Sequence, residues 1–270
     1  SPDVGGRVLS SDSTDIHEEG FIIPPSFLYR RGRKNNDLFR FIRANVRVPD
    51  IVIGDFMAQM TSNNIVKERV VEFLREAKLE NLEILSCEIL KRSERAINTV
   101  IDNLPEGTYY GEVEADGDDN PIIIKSSIKI REKKILVDFA GTSPQTSRGI
   151  NVTFNWTYAD VIHAILCVLR PSSPINAGSL KPISVTAPVG CILNAQYPAA
   201  VGARVLVAHH VQSAIFRALY AILPNMVIAD SAAPTWVPVL SGINQYGEQF
   251  VEIVIVHGGI GARPTKDGVV

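Results

Sequence analysis

Carboxylates, amides and histidines set beside glycines are the residues from which this sequence could build a site. Asp3 stands in Asp3-Val4-Gly5-Gly6. Glycine lets a loop wrap closely round an ion or ligand, and a hard carboxylate suits manganese, magnesium or a similar oxygen-preferring metal. Alternatively, it is a turn aspartate bonded to its own backbone. His17, Glu18 and Glu19 form a second group, suited to metal binding or proton relay, or else to a solvated loop. Asp55 and Gln59, four positions apart, share one face of a helix among apolar neighbours, and point into a polar site or meet water.

Three further groups carry polar chemistry. His209 and His210 are adjacent in an apolar helix, where neighbours point about 100° apart, so both cannot face one metal and one belongs to a core or interface. His257 precedes Gly258, Gly259 and Gly261 where a strand meets a flexible loop, the best placement for function among the five histidines. Gly141-Thr142-Ser143-Pro144-Gln145, continuing to Gly149-Ile150-Asn151, follows a strand directly and has the make-up of a binding loop at a sheet end, or of a polar turn. No phosphate-binding glycine loop, dinucleotide fingerprint, nucleophile elbow, His-Glu-x-x-His or paired Cys-x-x-Cys occurs.

The elements that must hold these residues are legible in the period of the apolar positions. The first thirty-odd residues are turn-rich, and stretches of that length in a compact domain are functional or linking. Asn35-Asn36-Asp37 caps a short helix ending before Pro49, and Asp50 is expected to cap a long one. Apolar steps of three and four run from Phe56 to Leu74 and again from Leu82 to Leu104, which predicts an antiparallel helix pair joined near residues 78–81. After Gly107 the period becomes 2, giving strands at 108–114, 122–131 and 134–139 around the acidic turn 116–121, an antiparallel meander. Helices at about 158–169 and 205–223 and strands at 183–187, 237–240 and 249–256 follow. Blocks without βαβ alternation make the class α+β, organised as a loop-rich and helical part (1–105) and a β-rich part (106–270).

Composition narrows the partners. The chain has 270 residues, 46% apolar and 21% charged, enough for a packed core, with 27 Lys+Arg against 29 Asp+Glu. The densest basic cluster, Arg30, Arg31, Arg33 and Lys34, is too short to track a phosphate backbone, which argues against nucleic acid. Cys87, Cys167 and Cys191 are odd in number and lie among apolar residues, as expected of buried thiols in a cytoplasmic protein. No membrane span or secretory leader is read. The absence of an opening Met and the unfinished C-terminal loop look like a segment of something longer.

A set of ordered motifs covers essentially the whole chain. Asp-Val-Gly-Gly at 3–6, Glu-Gly-x-x-Ile-Pro-Pro at 19–25, Asn-Val-Arg-x-Pro at 45–49 and Gly-Asp-x-x-Ala-Gln at 54–59 come first. Ser-Glu-Arg at 93–95, Leu-Pro-Glu-Gly-Thr-Tyr at 104–109, Val-Asp-Phe-x-Gly-Thr-Ser-Pro-Gln at 137–145, Asn-Ala-Gly at 176–178 and Gly-Gly-Ile-Gly-Ala-Arg at 258–263 follow. This order resembles the hydantoinase B/oxoprolinase family. The resemblance implies a fragment of a longer B-type subunit, in a hetero-oligomer with an actin-like ATPase A-type subunit that binds ATP and Mg. The implied enzyme hydrolyses cyclic amides of the hydantoin or 5-oxoproline type; the alternatives are an acetone- or acetophenone-carboxylase-like subunit and a non-catalytic assembly module. It also implies a divalent metal such as Mn, Zn or Fe with Asp3 as ligand. Asp55 and His257 are then catalytic candidates, and Glu19, Gln59 and Asn151 substrate-binding ones. The stretch from Arg204 to Gln212 departs from the Asn and Thr-Ser-Gln pattern of many relatives, so the pocket there is expected to differ.

Overall fold

The computed structural model describes residues 3–117, 120–169, 172, 174–231, 237–256 and 258–269. Its opening stretch, up to residue 35, is irregular, as the turn-rich composition predicts, apart from a 3-10 turn at Ile16–Glu18 and the two-residue strands β1 (Tyr29–Arg30) and β2 (Arg33–Lys34). Arg31 and Gly32 between them have φ of 51° and 78°, and two consecutive left-handed residues make the mirror-image turn that suits a tight hairpin. Helix α1 (Asn36–Asn45) is capped by Asn35, whose side chain accepts the Leu38 amide at 3.2 Å. It buries Phe39 and Ile42.

Helix α2 spans Pro49–Glu76. The expectation that Asp50 caps it is corrected: Pro49 occupies the first turn, where its missing N–H costs nothing, and Asp50 lies inside the helix, 2.8 Å from Arg43. Helix α3 (Glu83–Ile101) follows after a short connection. Both helices form where the period places them, but their apolar stripes do not cover one another. In α2 only Val52 and Ile53 are buried, and Ile65, Val66, Val71 and Phe73 face solvent with Ile84, Leu85 and Ile89 of α3. The second half of α3 does reach the core, through Ile97 and Ile101.

The meander is β3 (Gly107–Ala115), β4 (Ile122–Arg131) and β5 (Lys134–Asp138), with registers such as Tyr109 opposite Ile128 and Ile130 opposite Ile135. Asp118 and Asp119 of its acidic turn lie outside the described residues. Helix α4 (Phe154–Leu169) and the single turn α5 (Ala177–Leu180) lead to β6 (Ile183–Thr186), which joins the sheet parallel to β5. Helix α6 (Val205–Tyr220) then lies on β3 and β4, and the hairpin β7 (Val239–Ile243) and β8 (Gln249–Ile253) ends the regular structure.

Alternation along β4 puts Ile122, Ile124, Ile128 and Ile130 on the face covered by helices, with Val113, Ile135 and Val137 beside them. Helix α6 comes so close that a Cβ on Gly111 would lie 2.0 Å from Ala214 O. The Ser126 hydroxyl donates to that same carbonyl at 3.1 Å, fixing the helix to the sheet. A smaller cluster, Phe39, Ile42, Val48, Val52 and Ile53, joins α1 to the start of α2. Of the cysteines only Cys191 is buried; Cys87 and Cys167 are exposed, against the expectation of three buried thiols, because both lie on the outer faces of their helices.

Candidate functional site

The Asp-Val-Gly-Gly and Asn-Val-Arg-x-Pro motifs are two halves of one joint. Asp3 is 1% exposed, and its carboxylate accepts the Gly5 amide at 3.0 Å, the Val48 amide at 3.0 Å and the Arg47 amide, with the Arg47 guanidinium at 3.2 Å. Burial works against its charge, but these amide donors and the guanidinium outweigh burial and hold the carboxyl below its ordinary range. Gly5 has φ of 81°, and a Cβ there would meet Asn45 O at 2.3 Å, so the position accepts only glycine. Asp3 thus fills the turn-aspartate role through Gly5 and adds a long-range anchor.

That anchor sets one wall of a cavity of about 200 Å³ lined by Asp3, Val4, Phe21, Ile23, Ile42, Val46, Val52, Asp55, Phe56 and Gln59. Three residues singled out from the sequence therefore meet here: Asp3 at the base, and Asp55 and Gln59 one turn apart on α2. The remaining lining is apolar, the usual make-up of a small-molecule site in which a few polar groups fix orientation. Its volume is below the roughly 300–1,000 Å³ of drug-sized sites and fits a small ring.

Glu19 lies elsewhere. Its carboxylate accepts the Gly202 amide, tying the loop before Phe21 to the loop that opens α6. Asn151 is wholly buried, with Oδ1 accepting the Thr146 amide at 2.8 Å and Nδ2 donating to the carbonyls of Thr146, Arg148 and Ala200. For Asn151, expected to bind substrate, both polar side-chain atoms are engaged by backbone groups, which ties the loops at 146–148 and 200 together. Likewise Thr142 and Ser143, expected in a binding loop, accept the Lys125 and Ile123 amides along β4. His257 lies outside the described residues.

The histidine groups resolve into structural roles. His17 approaches the Tyr197 hydroxyl at 2.9 Å, while Glu18 accepts the Thr14 hydroxyl at 3.2 Å. His209 contacts Val205 O through Nδ1 at 3.0 Å and stacks on His210 with ring centroids 3.8 Å apart. Burial, then the neighbouring His209, pushes His210 down to about 4. Among the described residues no three His, Cys, Asp or Glu side chains are placed for a metal, and the Asp3 oxygens already carry four donors. As arranged, the described residues do not fit a resident metal.

One polar group escaped the sequence reading. Asp160 of α4 has a buried Oδ2 without a hydrogen-bond partner among the described residues, and burial raises its pKa against the lowering effects of Gln212, Trp156 and His163. Arg204, just before α6, lies over the Trp156 ring, 4.3 Å from its centroid, and Gln212 acts on the Asp160 carboxyl, so both ends of the divergent stretch meet α4. Only the apolar context of α4 in the sequence hinted at it.

Sheet, helices and interlocked motifs define a chain of the hydantoinase B/oxoprolinase family, whose profile matches residues 1–270; the chain belongs to it. An uncharacterised protein of Methanocaldococcus jannaschii is 35% identical over 85% of this chain and 41% of its own. A protein of a Pseudomonas species, named as the B component of a D-/L-hydantoinase, is 30% identical over 98% of this chain and 48% of its own. The crystal structure of ATP-dependent caprolactamase from Pseudomonas jessenii has the same fold, with a TM-score of 0.89 at 23% identity, over 98% of this chain and 48% of that one. The chain thus spans about half the length of the relatives it matches.

Proposed function

We propose that the chain is part of a B-type subunit that opens cyclic amides in an ATP-dependent complex with an actin-like ATPase partner. The observation that carries the reading is the small apolar-walled cavity that brings Asp55 and Gln59 together beside the Asp3 anchor, in a chain of this family. A cyclic amide presents its N–H and C=O side by side on one edge. The carboxamide of Gln59 has a matching acceptor and donor, and Phe21, Ile23 and Phe56 cover the ring. Asp55 takes a proton from the attacking water as it adds to the carbonyl, and the ring C–N bond breaks with the proton delivered to nitrogen. Activation of the carbonyl oxygen by ATP belongs to the partner.

The name of the hydantoinase relative supports this substrate class. The full-length complex, incubated with ATP and either hydantoin or 5-oxoproline, is expected to release ring-opened product with nucleotide turnover. Acetone consumed with bicarbonate in place of ring opening would replace the hydrolase by a carboxylase. Nucleotide turnover stimulated by none of the three overturns the reading in favour of an assembly module.

A further inference from the structure

Between Glu19 and Asp37 there is no acidic residue, yet Arg30, Arg31, Arg33 and Lys34 fall within it. The β1–β2 hairpin gathers these cations with Ser26, Phe27 and Asn35 around an open concavity of about 900 Å³. None of the four is ion-paired with a described residue; Asp37, the next carboxylate along the chain, lies 3.7 Å from Arg40. Aromatic faces support them instead: Arg30 sits 5.9 Å from the Phe27 ring centroid and Lys34 4.1 Å from that of Phe39. The two left-handed turn residues fix the hairpin, so the charges are held together against their own repulsion.

Apolar side chains of the same segment are also uncovered. Phe27 is 69% exposed, and Ile22 and Phe21 are exposed as well. A bare phosphate needs no apolar surface, and a nucleic-acid strand needs a longer basic track. Arginines beside exposed aromatics are the composition of protein interfaces.

We infer that the 20–36 segment is a docking surface for a carboxylate-rich face of a partner subunit. The inference rests on the proposed two-subunit complex. Its mechanism is complementarity: the four cations steer and orient the acidic partner, while Phe27 and Ile22 are covered on contact.

The test uses the full-length subunit and the full-length ATPase-type partner, with association kinetics followed at several salt concentrations. Arg30→Glu/Arg31→Glu/Arg33→Glu is compared with Arg31→Glu alone, an exposed turn position. The triple variant is expected to lower the association rate about 10- to 100-fold at low salt and to flatten its salt dependence, with the single variant intermediate. Unchanged rates and salt dependence in both variants overturn the inference. So does an unchanged complex accompanied by lost binding of tripolyphosphate or of an oligonucleotide, which would make the bowl a phosphate or nucleic-acid site. If the wild-type subunits do not associate at all, it is the two-subunit reading that fails.

Discussion

The carboxylate of Asp3 accepts the amide of Val48 at 3.0 Å, joining the start of the chain to the residue that precedes helix α2. This bond spans 45 positions of sequence and places Asp55 and Gln59, about two and three turns further on, against the loop that carries Phe21. A position that suits a metal ligand by residue type is therefore first a fixed point of the architecture.

Asp3→Ala removes an acceptor from three amides and leaves the Arg47 guanidinium without its carboxylate, so unfolding by urea should show a loss of about 3 kcal/mol, within the range for breaking a buried, hydrogen-bonded charge. Metal analysis of the full-length protein before and after the substitution separates anchor from ligand. Unchanged metal content with lowered stability is expected; stoichiometric metal lost at unchanged stability would make Asp3 a ligand.

Gly5→Ala should be as damaging for a different reason. The new Cβ would stand 2.3 Å from Asn45 O in a backbone with φ of 81°, and a cost of about 2 kcal/mol or more follows from the clash together with the left-handed strain. Hydrogen exchange at the Val48 amide is the local readout: faster exchange is expected, and unaltered protection would show that the joint tolerates a side chain.

Asp55 and Gln59 should separate in kinetics. Asp55→Asn, which keeps the shape and loses the base, is expected to lower kcat by about 100-fold or more with KM little changed. Gln59→Leu removes the paired donor and acceptor and should mainly raise KM, by about 10-fold, as expected for uniform binding of substrate and transition state. Equal effects of both substitutions on KM alone would remove Asp55 from the chemistry.

Acid should weaken the fold through His210. The folded protein holds this imidazole neutral down to about pH 4, whereas the unfolded chain protonates near 6.5. Between these values the unfolded state binds more protons, so stability present above 6.5 is lost as pH falls and the loss levels off below 4. With allowance for partial exposure the loss is about 2 kcal/mol. His210→Gln is expected to flatten that limb of the stability curve, read by urea unfolding at a series of pH values; an unchanged slope would assign the acid sensitivity elsewhere.

What could be read before the structure follows from what sequence encodes locally. The meander was legible because alternation along Ile122–Arg131 and the break after Gly107 leave one register that buries the isoleucines. Asp3, Asp55 and Gln59 could be singled out by type, and their meeting depends on the long-range bonds of Asp3. The amide of Asn151 looks the same in sequence whether it serves a ligand or a backbone, and its complete burial was not legible there. The stripes of Leu85 and Val66 encode a need for cover but not its location, so the helices were legible and their failure to cover each other was not. Asp160 carries no motif, and its significance lies in an oxygen left unbonded by residues distant in sequence.

The parallel pairing of β5 with β6 has a consequence for how the molecule is made. The hairpins from β3 to β5 close over short turns and can zip early, whereas β6 is separated from Asp138 by the 44 residues 139–182, which carry α4 and α5. Loop-closure entropy must be met before that edge gains any hydrogen bond, so the fourth strand arrives late on the folding pathway. Until then Ile135 and Val137 present an open strand edge, the stage at which a growing chain is most exposed to pairing with the wrong partner.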